Sequence, residues 1–265
     1  MKVQHPLDWR LPRKPVRKGC CTYGEKVYSH LSQEERQVIQ ILIGNGTGIR
    51  AIGAMIGRSP STVSREDAKR ARLLRRARFP VPKSLEGYDF ANVKLPDGYT
   101  REELLSLDFV PKAQDLVFYG GTGRGKTHLA TALGMKAIER DMSVRFLPTA
   151  ELVLQLGKAK RDGSLDAMLR DIDKADLLIL DEFGYVPFDV DGARLLYRII
   201  TNSYERRSII FTTNIEFGKW GTIFADDKLA AAIIDRIVHH GRLIEFTGQS
   251  HRISQALMFG KPQNQ

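Results

Sequence analysis

A glycine-rich run that ends in lysine and threonine has the spacing of a phosphate-binding loop. The segment GGTGRGKT, residues 120–127, fits G-x-x-x-x-G-K-[ST] and follows the apolar stretch LVFY. In such a loop the glycines let backbone N–H groups surround phosphates, the lysine reaches the β- and γ-phosphates, and the threonine hydroxyl binds Mg²⁺. The residues that this pattern assigns to ATP and Mg²⁺ are Gly120, Gly121, Thr122, Gly123, Arg124, Gly125, Lys126, Thr127 and His128.

A pair of acidic residues follows a second apolar stretch, ADLLILDEFG, residues 175–184. Four consecutive apolar residues predict a buried strand, and Asp181 and Glu182 stand at its carboxyl end. Ligands of open α/β sheets bind at that end of the strands. We expect Asp181 to hold Mg²⁺ through water and Glu182 to act as the general base on the attacking water.

Three further polar residues allow more than one interpretation. Asn214 ends the apolar stretch SIIFTTN, where an amide can orient the attacking water or simply end the strand. Arg236 lies on a helical pattern, either as an arginine directed at a neighbouring subunit's γ-phosphate or as part of a surface Asp–Arg pair. Arg252 is equally ambiguous. His239 and His240 lack the spacing of metal ligands and are interpreted as residues of a helix surface.

The chain contains another glycine-rich run, GNGTGIRAIG, residues 44–53. It follows a helical pattern instead of a strand, and no Gly-Lys-Ser/Thr follows it, so a phosphate-binding loop is excluded. Its glycines predict a connection between helices.

Residues 31–66 have the pattern of three short helices. Ser32 and Glu35 have the spacing of a capping box, and Ser59-Pro60 supplies an N-cap and a first-turn proline for the third helix. Helix, short helix, glycine turn and helix is the layout of a helix-turn-helix. Val63 should face inward with Ile52 and Ile56.

The exposed side of the third helix should enter the major groove of duplex DNA. It presents Ser61, Thr62, Ser64 and Arg65, and the arginine can pair with a guanine edge. The arginines that follow, which we expect to contact phosphates, are Arg70, Arg72, Arg75, Arg76 and Arg78.

From about residue 84 strands and helices alternate. Strands are predicted at residues 116–119, 144–147, 177–181, 209–213 and 243–246, with helices after the first four. This order predicts an α/β fold with a parallel sheet flanked by helices. We therefore divide the chain into four parts, namely a basic disordered tail (1–27), a small all-α helix-turn-helix module (28–66), a basic linker or helix (67–83) and an ATP-binding domain (84–262).

The positive charge is concentrated at the beginning of the chain. Residues 1–83 contain 18 Lys and Arg against 6 Asp and Glu, whereas the remainder is almost neutral, with 23 against 25. A basic arm on a neutral body indicates a polyanionic partner such as nucleic acid, the alternative being a solvated tail. No apolar run of eighteen residues suggests a membrane span, and the two adjacent cysteines are interpreted as incidental thiols of a cytoplasmic protein.

Several of these stretches resemble a known family. GGTGRGKTHLATALG, DLLILDEFGYVPFD, the region from SIIFTTN to GQSHR and the preceding RRARFPVPKSLEGYDF are similar to IstB-like ATP-binding proteins, the helper ATPases of insertion-sequence transposition and members of the AAA+ class. The resemblance covers about residues 69–258. It implies that Asn214 is sensor 1, that Arg236 is an arginine finger acting in trans, and that Arg252 is sensor 2.

Residues 28–66 depart from that family. They resemble the helix-turn-helix of transposases typified by the insertion sequence thirty group, most specifically in GRSPSTVSRE. The two resemblances together imply an ATPase that binds double-stranded DNA, forms a homo-oligomer with shared ATP sites and presents or remodels target DNA for a transposase. The alternatives are a helicase loader, which shares the ATPase layout, and a DNA-binding regulator whose ATPase is silent.

Overall fold

The computed structural model describes residues 31–186, 188–224 and 226–250. The tail predicted at residues 1–27, the two cysteines, Arg252 and the last residues of the ATP-binding domain lie outside the described residues. The described helices are α1 (Gln33–Gly44), α2 (Ile49–Ile56), α3 (Pro60–Ala77), α4 (Arg101–Ser106), α5 (Lys126–Glu139), α6 (Thr149–Arg161), α7 (Leu165–Ile172), α8 (Val190–Ser203), α9 (Trp220–Phe224) and α10 (Asp227–His240). The described strands are β1 (Val93–Lys94), β2 (Asp115–Gly120), β3 (Val144–Pro148), β4 (Leu177–Asp181), β5 (Ser208–Thr213) and β6 (Gly241–Phe246).

The first three helices form the predicted helix-turn-helix around a small apolar centre. Each helix contributes one fully buried apolar side chain, namely Ile39, Ile52 and Val63. Ile56, which was also expected to face inward, is only half-buried. The first part of the glycine run, residues 45–48, connects α1 to α2, whereas residues 49–53 of the run belong to α2. The Ser59 side chain caps α3 by accepting from the Thr62 N–H. The guanidinium of Arg58 holds both carboxylate oxygens of Glu35 at 2.8 and 3.0 Å.

The third helix is much longer than the sequence suggested. The boundary drawn after residue 66 falls inside α3, which continues without a break to Ala77 because no glycine or proline interrupts residues 61–77. Ala77 is fully buried, and Leu73 and Leu74 pack against the same core as β2 and α5. The third helix of the helix-turn-helix is therefore also an element of the ATP-binding domain.

Ion pairs join the helical module to the rest of the protein at two places. Asp141, in the turn after α5, pairs with Arg36 of α1 and with Lys69 of α3. Asp171 of α7 pairs with Arg76 of α3 and with Arg145 of β3. Each carboxylate is thus shared by two cations, of which one belongs to α3 at each place.

The sheet has the order β1-β6-β2-β5-β4-β3 within the described residues. β2, β3, β4, β5 and β6 run parallel, as predicted, while the two-residue β1 pairs antiparallel with β6 and was not foreseen. One face of the sheet packs on α3, α4 and α5, and the other on α6 to α10. This doubly covered sheet brings the carboxyl ends of β2, β4 and β5 to one edge.

Candidate functional site

The loop after β2 has the backbone that the glycine pattern requires. Gly120 has φ 149° and Gly125 has φ 92°, conformations that other residues rarely adopt. A Cβ on Gly120 would lie 2.3 Å from the carbonyl oxygen of Phe246, so β6 approaches too closely for any side chain. α5 begins at Lys126, and the N–H groups and dipole at the N-terminus of a helix favour the binding of an anion.

The lysine and threonine of the loop are held in place by neighbouring oxygens. Lys126 Nζ donates to the carbonyl oxygens of Gly120 and Gly121 at 2.6 and 2.8 Å. The hydroxyl of Thr127 donates to Asp181 Oδ1 at 2.8 Å. The phosphate loop and the first of the two acidic residues therefore meet directly, although they are separated by 54 positions in the chain.

The oxygens around Asp181 fit a small divalent cation. Asp181 lies at the end of β4 and is 7% exposed. Its Oδ1 accepts from the hydroxyls of Thr127 and Thr212, and its backbone oxygen accepts from Thr149. A carboxylate beside a threonine hydroxyl is the hard oxygen donor set that Mg²⁺ prefers, with water completing the coordination. Thr127 and Asp181 are therefore the residues that would hold this ion.

Glu182 and Asn214 open into the same pocket as the phosphate loop. The pocket measures about 510 Å³. Its lining residues are Pro80, Val81, Lys83, Thr122, Gly123, Arg124, Gly125, Lys126, Thr127, His128, Thr131, Glu182, Tyr185, Thr212, Thr213 and Asn214. The structure thus brings the sequence-predicted base, amide and loop together at the carboxyl edge of the sheet.

Two threonines at the end of β5 were not predicted as site residues from the sequence. Thr212 and Thr213 are buried, and their hydroxyls bond to residues at the end of β4. The available signal was the polar pair in SIIFTTN, because a strand buried on both faces is normally apolar throughout.

The segment after α3 forms a wall of the pocket. Pro80, Val81 and Lys83, which the sequence placed in a basic linker, line it. Further along, the Tyr88 hydroxyl donates to the Gly125 carbonyl oxygen at 3.4 Å, and its ring lies 5.1 Å from that of His128. Burial raises the pKa of Tyr88 well above its usual range, with a smaller contribution from Asp89, so the phenol stays protonated.

Arg236 is not among the residues that line this pocket. It lies on α10, where its guanidinium donates to the Ala232 carbonyl oxygen at 2.7 Å and stands 5.3 Å from the centre of the Tyr197 ring. On the same helix His239 contacts Tyr204, and His240 contacts Glu205. The histidines therefore belong to the helix surface, and no cluster of three potential metal-ligating His, Cys, Asp or Glu occurs in the part of the chain that the structure describes.

The exposed side of α3 forms one straight stripe. At 100° per residue, Arg65, Arg72 and Arg75 fall within roughly 40° of Ser61 around the helix axis. All four are exposed, as is Ser64 at the edge of the stripe. Arg65 and Arg75 are separated by about 15 Å along the axis, compared with about 12 Å for the width of a major groove. We define these five residues as the α3 stripe.

The other residues predicted to contact DNA lie outside the α3 stripe. Arg70 is half-buried and lies roughly 180° from Ser61 around the helix. Arg76 is bound within the protein, because its guanidinium donates at 3.0 Å to both the carboxylate and the backbone oxygen of Asp171. Thr62 is half-buried, with its hydroxyl 2.9 Å from the Ser59 hydroxyl, and Arg78 lies beyond the last turn.

No described helix is both long and apolar enough to cross a membrane.

Two family models match the chain. The IstB-like ATP binding protein model matches residues 54–258, and a helix-turn-helix model matches residues 27–66. The first match begins earlier than the resemblance recognised in the sequence, so it overlaps the second in α2 and α3. The family resemblance therefore does not stop at the helix-turn-helix, and α3 belongs to both matches.

Curated relatives come from insertion sequences. The ATP-binding protein of insertion sequence IS21 from Pseudomonas aeruginosa is 40% identical over 182 residues, covering 69% of each chain. That of IS5376 from Geobacillus stearothermophilus is 37% identical over 183 residues, covering 69% of this chain and 73% of the relative.

Solved structures share the fold. DnaA from Aquifex aeolicus, determined with AMPPCP bound, aligns with a TM-score of 0.52 at 18% identity over 71% of this chain, and the match spans only 58% of that chain. DnaI aligns with a TM-score of 0.51 at 24% identity, covering 64% of this chain and 90% of that one. The α/β fold is thus shared with these solved structures and is preceded by a helix-turn-helix, and the chain belongs to the family of IstB-like ATP-binding proteins.

Proposed function

We propose that this protein is a Mg²⁺-dependent ATPase that binds duplex DNA and assists a transposase. The observation that carries the ATPase part is the hydrogen bond from Thr127 to Asp181 in a pocket that Glu182 and Asn214 also line. Family membership supports ATP binding, and the insertion-sequence origin of the relatives supports a role in transposition. We place this activity in the cytoplasm.

Each residue of the pocket has a role in the proposed hydrolysis. Lys126 would bind the β- and γ-phosphates, and backbone N–H groups of the loop would surround them. The ion held by Thr127 and Asp181 would neutralise charge that develops between the β- and γ-phosphates. Glu182 would orient and deprotonate the attacking water, and Asn214 would orient it toward the γ-phosphate.

A neighbouring subunit would complete the site. Arg236 does not reach the pocket of its own chain, so its proposed role as an arginine finger requires a homo-oligomer in which it contacts the next subunit's nucleotide. Arg252 keeps the sensor 2 role that the family resemblance implies.

The α3 stripe is the proposed surface for duplex DNA. Ser61, Ser64 and Arg65 would contact base edges, and Arg72 and Arg75 would contact phosphates where the helix leaves the groove. Because the opposite side of α3 is part of the ATP-binding domain, bound DNA would be held at a fixed position relative to the ATPase.

ATP turnover, measured with and without duplex DNA, tests the proposed activity. Glu182→Gln should keep ATP binding and lose turnover, because the phosphate loop is unchanged while the base is removed. Lys126→Ala should lose binding itself. Near-normal turnover by Glu182→Gln would reject Glu182 as the base, and absence of turnover in the unaltered protein with DNA would support a silent ATPase.

A capture experiment separates the proposed partner from the alternative. A transposase encoded beside the gene should bind the purified protein in the presence of ATP and DNA. Capture of a replicative helicase instead would favour a helicase loader.

A further inference from the structure

The ends of β4 and β5 are joined by side chains where the sheet itself stops. The Thr212 hydroxyl accepts from the Glu182 N–H at 2.9 Å, and the Thr212 carbonyl oxygen accepts from the Phe183 N–H at 2.8 Å. The Thr213 hydroxyl donates to the Phe183 carbonyl oxygen at 2.8 Å. We call Thr212 and Thr213, with these bonds, the threonine latch.

The Thr212 hydroxyl contacts both acidic residues. It donates to Asp181 Oδ1 at 2.6 Å while it accepts from the Glu182 N–H, so its only proton and one lone pair are used. The same Oδ1 accepts from Thr127, and the carboxylate is therefore oriented by two hydroxyls. Thr212 is 1% exposed, so water does not readily replace these bonds.

The latch holds Glu182 in a conformation that is unfavourable for this residue type. Glu182 has φ 54°, in the left-handed region, which is sterically unfavourable for a non-glycine residue. This backbone leaves the Glu182 side chain exposed at the pocket while Phe183 is completely buried. The hydrogen bonds on both sides of the Glu182–Phe183 peptide keep this arrangement in place.

The latch also holds the amide on the other strand. The Thr213 hydroxyl accepts from the Ile215 N–H at 3.1 Å, which fixes the turn that carries Asn214. Glu182 and Asn214 are thus positioned relative to one another by two adjacent threonines.

We propose that Thr212 is a positioning residue for ATP hydrolysis, which sets the direction of the Asp181 carboxylate and the place of Glu182. This inference rests on the proposed ATPase function. Thr212 acts through the two acidic residues, so its loss should affect the chemical step more than nucleotide binding, which depends on Lys126 and the loop.

Thr212→Val tests this role because valine has the shape of threonine without the hydroxyl. We expect turnover to fall about tenfold or more, since a displacement of 1 Å at a reacting group can cost about a hundredfold. The dissociation constant of a non-hydrolysable ATP analogue with Mg²⁺ should stay near that of the unaltered protein. Thr212→Ser, which restores the hydroxyl, should recover most of the turnover.

Thr201→Val is the matched control. Thr201 lies on α8 and does not line the pocket, and its buried hydroxyl has no hydrogen-bond partner among the described residues, so turnover and analogue binding should not change and thermal stability should not fall. If valine at position 212 prevents folding, Thr212→Ala repeats the test with a smaller side chain.

The outcomes separate the inference from the proposed function. No turnover by the unaltered protein would reject the ATPase itself. Normal turnover by Thr212→Val, in a background where the unaltered protein is active, would overturn the role of Thr212. Loss of analogue binding or of thermal stability in parallel with turnover, without recovery by serine, would identify Thr212 as structural and would also overturn the proposal.

Discussion

Replacing Arg75 by glutamine should weaken DNA binding through electrostatics alone, whereas the same change at Arg76 should leave it unaltered. The two arginines are adjacent in sequence, but Arg75 is exposed on the α3 stripe and Arg76 is held by Asp171. Glutamine keeps the aliphatic part of the side chain and replaces the charged guanidinium by a neutral amide. The pair is therefore a matched test of which arginines contact phosphates.

The expected change in the salt dependence of DNA affinity follows from counterion release. Each phosphate contact with B-DNA contributes about 0.9 to the slope of log K against log salt, so Arg75→Gln should reduce the slope by about that amount. When salt rises from 50 to 200 mM, the affinity of a variant that lacks one phosphate contact should therefore fall by a factor roughly threefold to fourfold smaller than that of the unaltered protein. Arg72→Gln combined with Arg75→Gln should reduce the slope by about twice as much.

Arg76→Gln should lower the thermal stability of the protein instead of its affinity for DNA. The side chains of Arg76 and Asp171 are 32% and 48% exposed, so solvent screens their ion pair and its loss should cost less than about 1 kcal/mol. Burial alone would raise the pKa of Asp171, but the Arg145 hydrogen bond and the charges of Arg145 and Arg76 hold it below its ordinary value. A depressed carboxyl pKa adds stability at neutral pH that is lost on acidification, and Arg76→Gln should reduce this contribution.

Fluorescence anisotropy of a labelled duplex, titrated at several salt concentrations, measures the slopes, and thermal unfolding measures the stability. The reasoning would be refuted by an unchanged slope in Arg75→Gln. If Arg76→Gln reduces the slope of log K against log salt as much as Arg75→Gln does, Arg76 must leave Asp171 to contact a phosphate. The side of α3 on which an arginine lies would then not determine which arginines contact DNA.

The remaining predictions concern three other residues. Arg65→Ala should cost on the order of 1–3 kcal/mol for a preferred DNA site and little for random duplex, and competition titrations that show equal losses on both would contradict a base contact. Arg236→Ala should bind ATP but hydrolyse it poorly, and mixing it with Lys126→Ala should restore some turnover at mixed interfaces; wild-type turnover by Arg236→Ala alone would place the arginine finger elsewhere. Burial raises the pKa of Asp115 to about 7, against the opposing hydrogen bond from the Ile209 N–H, so the folded protein retains a proton that the unfolded chain releases. The free energy of unfolding of the unaltered protein should therefore fall by roughly 2 kcal/mol relative to that of Asp115→Asn between pH 5 and 8. If urea titrations show the same pH dependence of this free energy in both proteins, the raised pKa of Asp115 is wrong.

Local patterns in the sequence predicted the phosphate loop and the acidic pair because both depend on short-range rules. A buried strand, a glycine turn and a helix start within a dozen residues specify the loop between β2 and α5. The alternation of strands and helices likewise predicted the parallel sheet, and the parallel sheet brings Asp181 and Asn214 to the edge where the loop lies.

The tertiary structure decided the contacts between distant parts of the chain. Whether Arg75 or Arg76 is exposed depends on the rotation of α3, and that rotation is fixed by Leu73, Leu74 and Ala77 in the ATP-binding core. The sequence did not supply this rotation, because residues 67–83 were predicted only as a basic linker or helix, with no buried side assigned.

The hydrogen bonds of the threonine latch likewise depend on the tertiary structure. The sequence by itself placed a polar pair at the end of an apolar strand, but the partners of Thr212 lie about 30 positions away on a neighbouring strand. A side-chain hydrogen bond has no periodicity in the sequence, and only the register of β4 against β5 brings its donor and acceptor within reach.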